Sequence, residues 1–188
     1  GDTVVREARV SGVVPALEPK TRDTQLILHV GEGAGTLIPG AFVDVTIHGN
    51  NTTFISSGQR LFIVDEDASL LMTRVTLKGV HTTGSEIQGG ALLNKGFLEL
   101  RTSRIERNVL RYGDGAAIYN MHGARLVMLN VVLRNNRTQN GIAGGLYNAG
   151  NIYVHGGSIE NNEAPRAAGF YNAERAQAML TQAVITGN

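Results

Sequence analysis

The stretch GGLYNAGNIYVHGGSIENN, residues 144–162, decides how the chain is read. It opens on two small residues and an apolar-Tyr-Asn phrase, alternates through Ile152 and Val154, and closes on Ile159-Glu160-Asn161-Asn162. Alternation with a period of two is the signature of a strand. The opening phrase recurs as Gly90-Ala91-Leu92-Leu93-Asn94, Ala116-Ala117-Ile118-Tyr119-Asn120 and Ala168-Gly169-Phe170-Tyr171-Asn172, and Phe62-Ile63-Val64-Asp65 reads as a degenerate copy. The closing phrase, apolar-x-x-Asn, recurs from Ile105 to Asn108, Leu133 to Asn136 and Ile185 to Asn188. Leu77 to Val80 and Ile47 to Asn50 extend it backwards. Its end positions, 50, 80, 108, 136, 162 and 188, are spaced 30, 28, 28, 26 and 26.

Aligned on this period, like residues fall into columns: Leu70, Leu98, Leu126, Ile152, Ala178; Met72, Leu100, Met128, Val154, Leu180; Leu77, Ile105, Leu133, Ile159, Ile185; and Ile63, Leu92, Ile118, Leu146, Phe170. Each unit therefore holds about three short strands, and each strand pairs with its counterpart one unit later. This is an all-β solenoid: a single-stranded right-handed parallel β-helix of about six rungs of 26–30 residues. At about 4.8 Å per rung it would be roughly 29 Å long. No rung buries its apolar face alone; stacking makes the core continuous. A β-sandwich would not need the same side chain to return once per unit. Residues 1–24 read as an N-terminal cap or extension and residues 25–188 as the helix.

Composition agrees. The 188 residues include 24 glycines, 15 asparagines, six aspartates and no cysteine, and 42% are hydrophobic. That apolar share excludes a disordered linker, and the glycines lack the period of three that collagen requires. No apolar run reaches the roughly 18 residues of a membrane-spanning helix. A net charge of +1 speaks against a general nucleic-acid binder. Without cysteine there is no disulfide framework and no thiolate ligand or nucleophile. The asparagines are expected at turns: Asn94, Asn120, Asn148 and Asn172 as one ladder, Asn108, Asn136, Asn162 and Asn188 as a second. Asn tolerates positive φ and bonds along a stack of its own kind. A polar binding row is the alternative use of the same columns.

On these residues the chain resembles bacterial secreted right-handed parallel β-helix proteins, nearest to the polymorphic outer-membrane-protein type of repeat. Gly144-Gly145-Leu146-Tyr147-Asn148 and Ile159-Glu160-Asn161-Asn162 carry that likeness. Arg6-Glu7-Ala8, followed by Gln25 to Val30 and Val43 to Gly49, resembles the amino-terminal region of CSLREA-type surface proteins, although Val4 and Val5 stand where a cysteine and leucine are expected. The resemblance implies a fold and a secreted or cell-surface setting, with any signal peptide already removed. It implies no chemistry.

Several features bear on function. Asp65-Glu66-Asp67 is the one tight acidic cluster and reads as turn chemistry or a Ca²⁺ site; no metal or cofactor is assigned to it. Two residues before each terminal Asn stand His48, Lys78, Glu106, Arg134, Glu160 and Thr186, a ladder of alternating charge. The five histidines show no metal spacing. Tyr119, Tyr147 and Tyr171 form an aromatic column above Leu93, either a structural stack or, together with Tyr153, a face for a sugar or partner. Leu71, Glu99, Val127, Tyr153 and Met179 form an outward, largely apolar column that calls for a cover. The threonines form no paired rows of the kind ice binding needs.

A solenoid leaves strand edges at its ends. An assembly segment is read in Val4, Val5, Val10, Val13 and Val14 at one end and Ile185 and Asn188 at the other, able to pair head to tail. The expected function is a non-catalytic structural or adhesive protein whose partner is a second copy of itself or the remainder of a larger surface protein. The competing expectation is a carbohydrate-active enzyme or sugar-binding module using the tyrosine face with Asp65, Asp67 and Asp114.

Overall fold

A computed structural model describes residues 8–14, 25–30, 44–83 and 86–188. The chain divides into two units, Gly1–Ala41 and Phe42–Asn188. In the first, Ala8–Val14 pairs antiparallel with Gln25–Val30, with Val10 opposite Leu28, Val13 opposite Leu26 and Val14 opposite Gln25. Val4 and Val5 lie outside the described residues. Gln25–Val30 therefore forms a hairpin-type pair with the segment before it, and the described coil starts at Asp44.

The second unit is a parallel β-solenoid. Its first face stacks Phe62–Val64, Leu92–Asn94, Ile118–Asn120, Leu146–Asn148 and Phe170–Asn172. The second and third faces run on from one another and stack six layers: Asp44–Ile55 and Ser69–Lys78 span both. Above them the second face continues with Phe97–Arg101, Arg125–Leu129, Asn151–His155 and Gln177–Thr181. The third continues with Arg104–Glu106, Val132–Arg134, Ser158–Glu160 and Val184–Thr186. All of these pairs are parallel and one repeat apart, as the columns require. A fourth, shorter face was not read from the sequence: His81–Thr82, Val109–Tyr112 and Arg137–Asn140.

The interior is the stack of inward columns. Met72, Leu77, Leu92, Leu98, Leu100, Ile105, Leu110, Ile118, Leu126, Met128, Leu133 and Leu146 are fully buried. Each such side chain contributes about 1.5–3 kcal/mol through removal from water, and the next turn supplies its neighbours. Residues with positive φ recur at corners of the coil, two of them in columns that flank the third face. Arg74, Thr102, Asn130, Gly156 and Gln182 turn the chain from the second face to the third; Gly79, Arg107, Asn135, Asn161 and Gly187 turn it from the third towards the fourth.

Four sequence assignments shift in the first turns. Phe62, not Ile63, pairs with Leu92, so Ile63 lies under Leu93 and is exposed, and Val64 rather than Asp65 lies under Asn94. Phe54, not Ile47, pairs with Leu77, while Ile47 pairs with Met72. Ile55 consequently replaces His48 below Lys78. A one-residue slip exchanges the faces of a strand, and here both faces carry apolar residues, so alternation alone does not fix the register.

Candidate functional site

The ladder asparagines are not the positive-φ residues. None of the eight has positive φ; Asn108, Asn136, Asn162 and Asn188 each directly follow a residue that does. Their side chains point into the coil, and Asn94, Asn108, Asn120, Asn136, Asn148 and Asn162 are buried. On the first face Asn94 Nδ2 donates to Asn120 Oδ1 (2.7 Å), Asn120 to Asn148 (2.8 Å) and Asn148 to Asn172 (2.7 Å). The second proton of each amide goes to a backbone carbonyl of the following turn, that of Arg125, Asn151 or Gln177. In the second ladder each Oδ1 from Asn136 onward accepts twice. Asn136 Oδ1 takes the backbone N–H (3.2 Å) and Nδ2 (2.9 Å) of Asn108, and Asn162 Oδ1 takes both from Asn136 at 3.0 Å. Asn188 Oδ1 does the same for Asn162. Buried amides without partners are costly, and apart from Asn94 Oδ1 the buried ones pair with one another and the backbone. They are structural ladders.

The tyrosines come together as their column predicts. The Tyr119 and Tyr147 rings stack at 4.5 Å and 7°, and Tyr147 and Tyr171 lie 4.9 Å apart at 40°. Arg166 Cζ sits 5.3 Å from the Tyr171 ring centroid, and its Nη2 donates to Tyr171 Oη at 3.2 Å. Burial, then the neighbouring Tyr147 and Asp114, push the Tyr119 phenol up to about 12. Burial also raises Tyr147. Tyr119 and Tyr147 spend ring faces on each other, and those are the surfaces on which a sugar would stack.

The acidic residues do not converge. Asp114 sits before the strand Ile118–Asn120 and accepts the Ile142 N–H at 2.6 Å. Asp65 and Asp67 lie beyond the other end of the first face, where Asp65 pairs with Lys95 Nζ at 2.9 Å. The charge ladder is present from Lys78 upward. Its centre is Glu106, 7% exposed, which accepts from Arg134 Nε at 2.7 Å with Arg104 Nε at 3.8 Å. The outward column stacks as read: Leu71, Glu99, Val127, Tyr153 and Met179 lie in register, with Tyr153 and Met179 exposed.

One feature escaped the sequence reading. Corners between the first and second faces alternate in length. Residues 65–68, 121–124 and 173–176 form four-residue turns, each closed by a bond from the fourth N–H to the first carbonyl at 3.1 Å. Lys95-Gly96 and Ala149-Gly150 are two-residue corners between them. A Cβ on Gly96 would meet Asp65 O at 2.2 Å and Ala68 O at 2.4 Å; one on Gly150 would meet Ala124 O and Met121 O at 2.4 Å. Only glycine lets the short corner lie directly on the turn beneath it. Each short corner is thus the floor of a notch between two projecting turns. The lower notch has a volume of about 430 Å³ and is lined by Glu66, Asp67, Lys95, Phe97, Gly123 and Arg125, among others. The signal in the sequence was Asn-x-Gly after every second ladder asparagine of this face.

None of the protein-family models, curated proteins or solved structures compared with the chain matches it.

Proposed function

We propose that this chain is a non-catalytic structural or adhesive element, secreted or displayed at a cell surface, that associates with itself by stacking β layers end to end. One observation carries the reading. Each described layer of the coil is completed by its neighbours: Ile159 pairs with Leu133 on one side and Ile185 on the other, and Ile152 with Leu126 and Ala178, all parallel and one repeat apart. Layers of this kind join through strand edges and inward apolar columns, and contact in one sense repeats without closing, giving a filament. The resemblance to bacterial surface solenoids supports the same setting.

Sedimentation velocity and negative-stain microscopy of the 188-residue chain, across a concentration series, test this. The expected result is mass growth with concentration and particles elongated along one axis. Ile185→Lys with Val184→Lys should return the chain to single particles. Single particles of the unmodified chain at every concentration would refute self-association.

A further inference from the structure

We infer that the notch over Lys95-Gly96 is a binding site for an uncharged, hydroxyl-rich ligand, a short neutral oligosaccharide. The inference extends the adhesive half of the proposed function by naming the class of ligand, and places it away from the tyrosine column.

The walls carry it. On one side the turn 65–68 projects Glu66 and Asp67, neither of which has an ion-pair partner among the described residues. Arg125, whose Cζ lies 5.6 Å from the Phe97 ring centroid, lines the notch with them, and Lys95 in its floor is held at 2.9 Å by Asp65. The lining thus offers both carboxylate acceptors and cationic donors, with Phe97 among its residues. Its volume of about 430 Å³ falls within the range of about 300–1,000 Å³ typical of small-ligand sites.

Charge selects among ligands. An anion drawn to Arg125 meets Glu66 and Asp67, and a cation drawn to those carboxylates meets Arg125 and Lys95. A hydroxyl both donates and accepts, so a row of hydroxyls on an apolar ring satisfies both kinds of group without bringing charge to either. The site is also mechanically defined. Its floor is pinned because Gly96 lies on the carbonyls of Asp65 and Ala68, and Phe97 N donates to Ala68 O at 3.0 Å. Preorganisation of this kind lowers the ordering cost of binding.

The experiment is a titration of the 188-residue chain with neutral oligosaccharides of two to six units (glucose-, N-acetylglucosamine- and mannose-based), followed by amide NMR shifts and calorimetry. Sulfated and amino-sugar counterparts serve as charged probes. At least one neutral series should move the signals of Gly96, Phe97, Gly123 and Arg125. The double variant Glu66→Gln/Asp67→Asn, which alters only exposed carboxylates, should weaken binding about tenfold, the effect of one lost charged hydrogen bond. Arg125→Ala should do the same, and Tyr147→Phe should leave binding unchanged. No shift with any neutral series, equal binding by the carboxylate variant, or preference for a charged probe would each overturn the inference. Sedimentation of the same samples reads self-association independently, so either proposal can fail alone.

Discussion

The two asparagine ladders look alike in sequence and differ in what they hold. On the first face an amide bonds to an amide, and the oxygen of Asn148 also accepts from the N–H of Gly150 in its own corner. In the second ladder every oxygen accepts a backbone N–H from the turn before, so the ladder supplies main-chain pairing at a corner where no strand does. They also begin differently. Asn108 Oδ1 takes the Val80 N–H at 3.1 Å, whereas Asn94 Oδ1, with Val64 beneath it, is buried without a partner. One ladder replaces backbone pairing; the other supplements it and starts on an orphan.

The sharpest way to break this comparison is to remove one rung from each ladder. Asn136→Leu should cost about 4 kcal/mol, because it leaves the buried N–H and amide of Asn108 short of an acceptor and the Ile105 carbonyl short of a donor, at about 1–3 kcal/mol per unsatisfied group. Asn120→Leu should cost about 2 kcal/mol by the same reckoning, since Asn94 Nδ2 keeps the Arg125 carbonyl and Asn148 Oδ1 keeps Gly150 N–H. Urea denaturation midpoints measure both, and equal losses would mean that the backbone bonds of the second ladder are not what distinguishes it. Val64→Asn tests the orphan. It should change stability by less than about 1 kcal/mol, because it satisfies Asn94 Oδ1 while moving an unpaired oxygen one turn down. A gain well above that would show the orphan to be dearer than assumed.

The smallest expected effect is one of pH, and it separates the two sides of the same strands. The ladder amides do not titrate, but Tyr119, the residue before Asn120, does. Its folded value of about 12 lies above the usual 10, so the unfolded chain releases the proton first. The stabilisation is complete below pH 10 and is lost as pH rises towards about 12. Absorbance titration should show late-ionising tyrosine, reduced by Tyr119→Phe, and the same substitution should flatten that part of the stability profile. A profile unchanged by the substitution would assign the alkaline loss elsewhere.

Much of the fold was legible because inward positions return at one spacing. Leu98, Leu126 and Ile152 are apolar in every turn, and the layer above permits little else. The register failed where that contrast fails. Ile55 and Ile63 are apolar and exposed at 67% and 51%, so inside and outside could not be told apart by hydropathy. The asparagine columns were legible as ladders but not as buried ones, since an Asn at the end of a strand has the same appearance whether it turns the chain or faces inward. The notch was hidden for another reason: long and short corners average into a repeat of nearly constant length, and the averaging erased the alternation that builds it. The fourth face escaped because Arg137-Thr138-Gln139-Asn140 is polar and takes its strand geometry from the layers on either side.

Both ladders pass one amide proton from each asparagine to the next in the same sense, from Asn94 towards Asn172 and from Asn108 towards Asn188. The other proton goes to the following turn in the first ladder and back to the preceding turn, at Leu77, Ile105, Leu133 and Ile159, in the second. The chain of Asn-to-Asn bonds therefore has a direction along the coil. On the proposed end-to-end stacking, a layer added in the same sense would continue this series of bonds, whereas a layer turned over by a two-fold axis would not. The direction of the ladders would then select between ways of joining.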